Sequence, residues 1–278
     1  SDRISTGMHY VDQRLGGGIS RGEYWLFVGP PGIGKTRALV NVGIGAASLL
    51  SKANVLHVTL EMSAKKVARR YASRLAGQVI ERDGEVIFKQ AFERSAAMKL
   101  RGSIVIKQYP NKRLTHSELN RYLDMLAMEG YNPDVIIMDY PTNMKHNTSV
   151  GDYRHQLADT TEELRGTAVE RDIAMWAAAQ ANRGALYKEL VDLDDVAECW
   201  DQMATADGVI TICQTKIEKV EGWQRFHFAK VREEDSGWIA RCKVAPIIHS
   251  LECVECLSLG EYLELKQEKS EKALPIMS

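Results

Sequence analysis

Short apolar runs alternate with longer, mixed-polarity stretches along most of the chain. Tyr24–Val28, Val55–Leu60, Ile104–Lys107, Val135–Asp139, Ile173–Ala179, Val209–Cys213 and Phe226–Lys230 have the length and composition of buried strands. The stretches between them predict helices over Lys35–Leu50, Ala64–Ala76, Glu85–Leu100, Ser117–Gly130 and Tyr153–Arg171. Strands alternating with helices predict an α/β fold, with a mainly parallel central sheet and helices on both faces. No internal repeat or low-complexity linker interrupts the pattern, so 1–278 reads as one domain. Its end, Glu261–Lys272, is charged and reads as a frayed, solvated segment of a flexible tail over 260–278.

The first strong run leads directly into Gly29-Pro30-Pro31-Gly32-Ile33-Gly34-Lys35-Thr36, which fits G-x-x-x-x-G-K-[ST], and Arg37 continues into a helical pattern. Strand, glycine-rich turn and helix start are the context in which this pattern binds phosphate. The glycines let backbone N–H groups aim at phosphate oxygens, and the helix N-terminus adds its positive end. Lys35 can reach the β- and γ-phosphates, and the Thr36 hydroxyl can ligate Mg²⁺. Residues 29–37 therefore read as a nucleoside triphosphate site, with ATP and Mg²⁺ as cofactors.

Composition narrows the setting. Hydrophobic residues make up 45% and charged residues 26% of 278, which excludes a disordered chain. With 36 basic against 37 acidic residues, any nucleic-acid contact has to be local, in loops lining a groove or channel. No run approaches the ~20 apolar residues that span a bilayer, and no secretory signal is evident. Five scattered cysteines (Cys199, Cys213, Cys242, Cys253, Cys256) suit a reducing, intracellular compartment. The chain opens on Ser1-Asp2 without an initiator Met, which reads as a processed protein or a piece of a longer one.

Further strand ends carry candidate chemistry. Val135-Ile136-Ile137-Met138-Asp139 is a buried strand delivering one carboxylate, able to hold a Mg²⁺ shell. Val58-Thr59-Leu60-Glu61-Met62-Ser63 places Glu61 where it can orient or deprotonate an attacking water, unless it is simply the acid before a helix capped by Ser63. Ala177-Ala178-Ala179-Gln180 ends in an amide that can sense a γ-phosphate. Phe226–Arg232 ends in Lys230 and Arg232, which alone read as an ordinary solvated strand end. Cys253-Val254-Glu255-Cys256 is a single C-x-x-C; with one knuckle where structural zinc takes two, buried or incidental thiols are the better reading.

Together, Thr6-Gly7, Gly16-Gly17-Gly18, the P-loop, Leu60-Glu61-Met62-Ser63, Ile137-Met138-Asp139-Tyr140, Gln180-Ala181-Asn182-Arg183 and Ala229-Lys230-Val231-Arg232 resemble the RecA-like motor domain of DnaB-type replicative helicases, over about Ile4 to Gly237. The resemblance implies a RecA-like P-loop NTPase fold and an ATP-hydrolysing DNA helicase that forms a ring, a hexamer, around single-stranded DNA. It implies Lys35 and Thr36 on the phosphates and metal, Glu61 as the group that activates water, Asp139 as the metal-organising acid and Gln180 as the sensor. Lys230 and Arg232 would enter the neighbouring subunit's site, Arg232 as an arginine finger. Lys145, His146 and Arg154 after the Asp139 strand, with Arg183 and Lys188 after Gln180, become candidate DNA contacts. A primase or helicase loader would be a further partner, no membrane would be involved, and the location would be cytoplasmic, or for a viral relative the host cytoplasm or an organelle matrix.

Two departures stand out. Asp139 is followed by Tyr140-Pro141-Thr142-Asn143, and Arg232 by the acids Glu233-Glu234-Asp235, where the family has a neutral, Gly-containing turn. The family's N-terminal domain has no counterpart in the sequence. The rival reading is a non-helicase RecA-fold ATPase, of recombination, annealing or switch type, that uses ATP to control assembly. The lead-in Gly16–Gly22 fits it equally well.

Overall fold

The computed structural model describes residues 3–80, 93, 97, 99–145, 153–181, 183–185, 187–193, 200–232 and 235–273. A short N-terminal ribbon pairs β1 (Arg3–Ile4) with β2 (Ile19–Ser20). The uncharged segment β3 (Tyr24–Gly29) is buried along its whole length, as a central strand covered on both faces should be. The strands after it are β4 (Val55–Thr59), β5 (Ile104–Gln108), β6 (Val135–Asp139), β7 (Ala174–Gln180), β8 (Gly208–Cys213), β9 (Trp223–Val231), β10 (Trp238–Ala245) and β11 (Ser250–Leu257). Together they make a sheet in the order β11-β10-β9-β8-β3-β7-β6-β4-β5. From β8 to β5 the strands are parallel; β9, β10 and β11 extend it antiparallel.

The helices are α1 (His9–Arg14), α2 (Lys35–Ala47), α3 (Ala64–Ala76), α4 (His116–Met128), α5 (Tyr153–Glu170), α6 (Trp200–Thr205), α7 (Lys216–Glu221) and α8 (Leu259–Ala273). Side chains alternate across β3. Trp25 and Phe27 join Leu39 and Val42 of α2 in one core, while Leu26 and Val28 join Leu119 and Leu123 of α4 and Leu164 of α5 in the other. Phe27 stacks on Trp176 at 4.9 Å and 14°. At the outer side of α2, a Cβ on Gly45 would lie 2.2 Å from the Gly7 backbone nitrogen, so only glycine lets the N-terminal segment lie this close.

All seven expected strands form, with ends shifted by a residue or a few. The expected helix over Glu85–Leu100 falls mostly outside the described residues, although Glu93, Ala97 and Lys99 are helical. Other elements differ from expectation. The ribbon of β1 and β2, strands β10 and β11, and the short helices α1, α6 and α7 are additions to the expected set. The charged stretch read as a frayed end instead lies in α8, because Tyr262 is buried and donates to Glu189 while accepting from Arg225 at 2.8 Å. A helix docked through one aromatic tolerates charge on its remaining faces.

Candidate nucleotide site

β3 ends at Gly29, in register with Gln180 of β7. The chain then turns at Pro30–Gly34 and enters α2 at Lys35. Gly34 caps that helix in the left-handed region, φ +109°, with no side-chain cap and no acid in the first turn. The first-turn N–H groups and the positive end of the helix dipole are left facing the mouth of the loop. Lys35 Nζ donates to the carbonyls of Gly29 (2.7 Å) and Pro30 (3.0 Å), which fixes its charge in the loop. Ile33 is held from outside the motif: its carbonyl accepts from Gln224 Nε2 at 2.7 Å, and Gln224 Oε1 accepts from Arg37 at 3.0 Å. Burial, reinforced by the charge of Arg70, lowers the Arg37 pKa to about 10.

Asp139 closes β6 opposite Thr59 of β4. It is fully buried, and neither carboxylate oxygen accepts a hydrogen bond from a described residue. Burial raises its pKa to about 7; Glu61's charge adds to the rise, while the nearby Thr36 hydroxyl, Arg70 and Lys35 oppose it. Tyr140 sits over the same spot, its hydroxyl 3.5 Å from Thr36 Oγ1 and its ring 5.6 Å from Lys35 Nζ. A cleft of about 320 Å³ opens here, bounded by Gly34, Lys35, Thr36, Glu61, Arg70 and Tyr140 among others. Glu61 is exposed on its rim, two residues before Ser63, which caps α3. Ser63 is thus the cap, as the plainer reading expected, and Glu61 faces the cleft.

The donors fit a hard divalent cation. An orphaned buried carboxylate beside a hydroxyl is an all-oxygen set of the kind Mg²⁺ takes, together with phosphate oxygens and water. Asp139 and Thr36 would hold it.

The structure brings Lys35, Thr36 and Glu61 to one cleft, with Asp139 buried close to all three and Gln180 exposed at the end of β7. Lys230 and Arg232 are elsewhere. Because β9 is antiparallel, Val231 pairs with Gly208 at the start of β8, on the sheet edge opposite the P-loop. A strand rise of about 3.3 Å per residue puts them roughly 15 Å or more from the loop. There Lys230 Nζ donates to the carbonyls of Met203 (3.0 Å) and Ala204 (2.7 Å), and Arg232 pairs with Asp207 at 2.7 Å. Lys145 and Lys188 are exposed on loops that follow β6 and β7. His146 lies outside the described residues, as do the side chains of Arg154 and Arg183 and the acids Glu233 and Glu234.

Sequence reasoning missed Tyr140, Arg70, Gln224 and His249. The position of Tyr140 directly after the metal-type Asp was a usable signal. Arg70 and Gln224 had none, since both reach the site only through tertiary packing. His249 lines the cleft too, its pKa lowered to about 4 by burial and then by Arg70 and Arg37.

A mainly parallel sheet with a P-loop at its central strand and an acid at the end of the next strand but one defines a RecA-like P-loop NTPase fold. More narrowly, the chain belongs to the DnaB-like helicase C-terminal domain family, whose model matches residues 3–239. It is 26% identical over 210 residues to the DnaB-like replicative helicase of Enterobacteria phage T4, covering 72% of this chain and 44% of that protein. The chain thus spans less than half of that relative. Among solved structures, an ATPase domain superposes with a TM-score of 0.76 at 14% identity, covering 92% of this chain and 93% of the other. A DnaB-like replicative helicase, described with its interactions with primase, gives 0.76 at 14% over 91% of this chain and 62% of its own. The RadB recombinase gives 0.57 at 17%, over 91% and 100%. Among the described residues no helix is long and apolar enough to cross a membrane.

Proposed function

We propose that this chain is the ATP-hydrolysing motor of a replicative DNA helicase, working as a hexameric ring that tracks along single-stranded DNA. One observation carries the reading. The P-loop residues gather at one edge of the sheet, and Lys230 and Arg232, at and just beyond the end of β9, lie at the other. No subunit can apply Arg232 to its own nucleotide, so a finger role requires the site to be shared between copies.

In this reading the loop N–H groups and Lys35 bind and orient the phosphates of ATP. Bound Mg²⁺, held through Thr36 and Asp139, would neutralise charge on the phosphate oxygens. Glu61 positions a water on the cleft's open side and takes its proton. Gln180, level with Gly29 at the end of β7, registers in this reading whether the γ-phosphate is present. Arg232 of a neighbour, with Lys230 beside it, supplies positive charge to the transition state. Single-stranded DNA would run past the segments that follow β6 and β7, with Lys145, His146, Arg154, Arg183 and Lys188 as the candidate contacts. Primase, named with one of the similar structures, or a loader would be a further partner.

The test is complementation. Lys35→Ala should abolish hydrolysis, and Arg232→Ala should abolish turnover while leaving ATP binding intact. An equal mixture of the two should recover activity, since one supplies the loop and the other the finger. The wild-type rate per subunit should climb with protein concentration and with single-stranded DNA. A mixture that stays dead refutes the shared site; hydrolysis surviving Lys35→Ala refutes the P-loop assignment.

A further inference from the structure

At the edge opposite the P-loop, Asp207 stands between β8 and α6 and is 8% exposed. Its carboxylate accepts four hydrogen bonds from three residues. Oδ2 accepts from the Tyr24 backbone N–H at 3.0 Å and from Arg165 Nε at 3.1 Å. Oδ1 accepts from Arg165 Nη2 at 2.9 Å and from Arg232 Nη1 at 2.7 Å. The Asp207 carbonyl also accepts the Arg232 N–H at 2.9 Å, fixing the backbone beneath the side chain. A cavity of about 420 Å³ opens beside Arg165, Asp207 and Arg232. Arg232 is 44% exposed and can swing into that space.

The two arginines are not equivalent. Arg165 grips both carboxylate oxygens and is anchored in α5, whereas Arg232 shares one oxygen and follows the last residue of a strand. A buried carboxylate holding a single cation resists losing it, because departure strands an unpaired charge. A carboxylate already neutralised by a second arginine lets the first one go at the cost of one partly solvated hydrogen bond. The arrangement is that of a rest with a counterweight.

We propose that Asp207 and Arg165 are positioning residues for the finger: Asp207 parks Arg232 at the subunit edge, and Arg165 keeps the carboxylate neutral when Arg232 leaves for the neighbouring subunit's γ-phosphate. This rests on the shared-site reading above and adds the two-state element that reading needs. Arg232 has two anionic partners, one within its own chain and one across the interface, and Arg165 sets the balance between them.

The experiment measures steady-state ATP hydrolysis with single-stranded DNA, nucleotide binding by a fluorescent ATP analogue and thermal melting for the variants of the full chain named below. Arg165→Gln leaves Arg232 as the only side-chain cation on Asp207. Its kcat should fall by about tenfold or more, as expected when a shared charge-assisted contact becomes the sole one of a buried acid, while KM for ATP holds. Arg165→Lys should keep most of the turnover. Asp207→Asn, whose amide oxygen still accepts from Tyr24, should on the Arg165→Gln background restore kcat to within about threefold, because the carboxylate that traps the finger is gone. A purely structural role for Arg165 predicts the reverse, a double variant worse than either single one. Unchanged kcat in Arg165→Gln, or a double variant no better than Arg165→Gln alone, overturns the proposal. Should Arg165→Gln melt early, Asp207→Asn alone decides: it must keep turnover at or above wild type with equal melting, and a loss of turnover there overturns the proposal too. Arg232→Ala, run alongside, separates the two levels. If it retains turnover the finger reading itself fails, whereas its loss of turnover with no rescue in the double variant removes only the parking role.

Discussion

Asp139 is placed where an ionised carboxylate is costly, and replacing it should make the protein more stable while disabling it. Its pKa rises from 3.8 to about 7, mainly through burial. At about 1.4 kcal/mol per unit, that rise corresponds to about 4 kcal/mol of destabilisation once the group is charged. The folded pKa lies above the unfolded one, so the folded state holds the proton more tightly. The favourable contribution is therefore complete below pH 3.8 and is lost as pH climbs through about 7. Asp139→Asn removes the charge but leaves a buried amide N–H₂ without an acceptor, which costs about 1–3 kcal/mol. The net gain at pH 8 should be about 1–3 kcal/mol, shrinking to zero or reversing near pH 5. Urea denaturation of both proteins at the two pH values, in chelator, reads this directly. Equal stability at pH 8, or a gain that does not depend on pH, would refute the argument. The same proton competes with a metal ion, so wild-type affinity for Mg²⁺-ATP should weaken as pH falls below about 7, and Asp139→Asn should lose Mg²⁺-dependent binding throughout.

Three further substitutions test the surroundings. Glu61→Gln should lower turnover by about 10²–10⁴-fold with ATP binding kept; full turnover would remove Glu61 from the chemistry. Gln224→Leu removes the shorter hydrogen bond on the Ile33 carbonyl and the Oε1 acceptor of Arg37, leaving only the 3.4 Å Arg37–Ile33 bond, so ATP affinity should drop by about tenfold or more, and an unchanged dissociation constant would show that β9 does not support the loop. Tyr262→Phe removes the hydroxyl joining α8 to Arg225 and Glu189, and hydrogen exchange over 259–273 should speed up while the central strands stay protected.

What could be read from the sequence was whatever depends on neighbours in the chain. Apolar runs bounded by turns set the seven strands, and the P-loop announced its strand and helix because its chemistry requires both. Strands β10 and β11 had a readable signal: Ala240, Cys242 and Val244 point inward while Arg241, Lys243 and Ala245 do not. An edge ribbon with charged outward positions shows only half of that pattern as hydrophobicity. Helix α8 was hidden because its docking depends on Tyr262 meeting Arg225 and Glu189, 37 and 73 residues away. Gln224 and Asp207 were hidden for the same reason. Each is an unremarkable polar residue until the fold sets it against a loop carbonyl or between two arginines.

The direction of β9 was the decisive step, and it too was within reach. A run ending in Lys230 and Arg232 looks like one more strand of a parallel series, which would carry its cations to the P-loop edge. Only residues 214–222 separate β8 from β9, fewer than the dozen or more a parallel crossover needs. The connection therefore has to be a hairpin-like return, with α7 as its turn, and the end of β9 has to fall at the opposite edge. From there, Arg232 reaches a nucleotide only if another copy presents one. Under the proposed finger role, the demand for assembly therefore follows from chain direction. The length of the β8–β9 connection sets which end of the sheet carries Arg232.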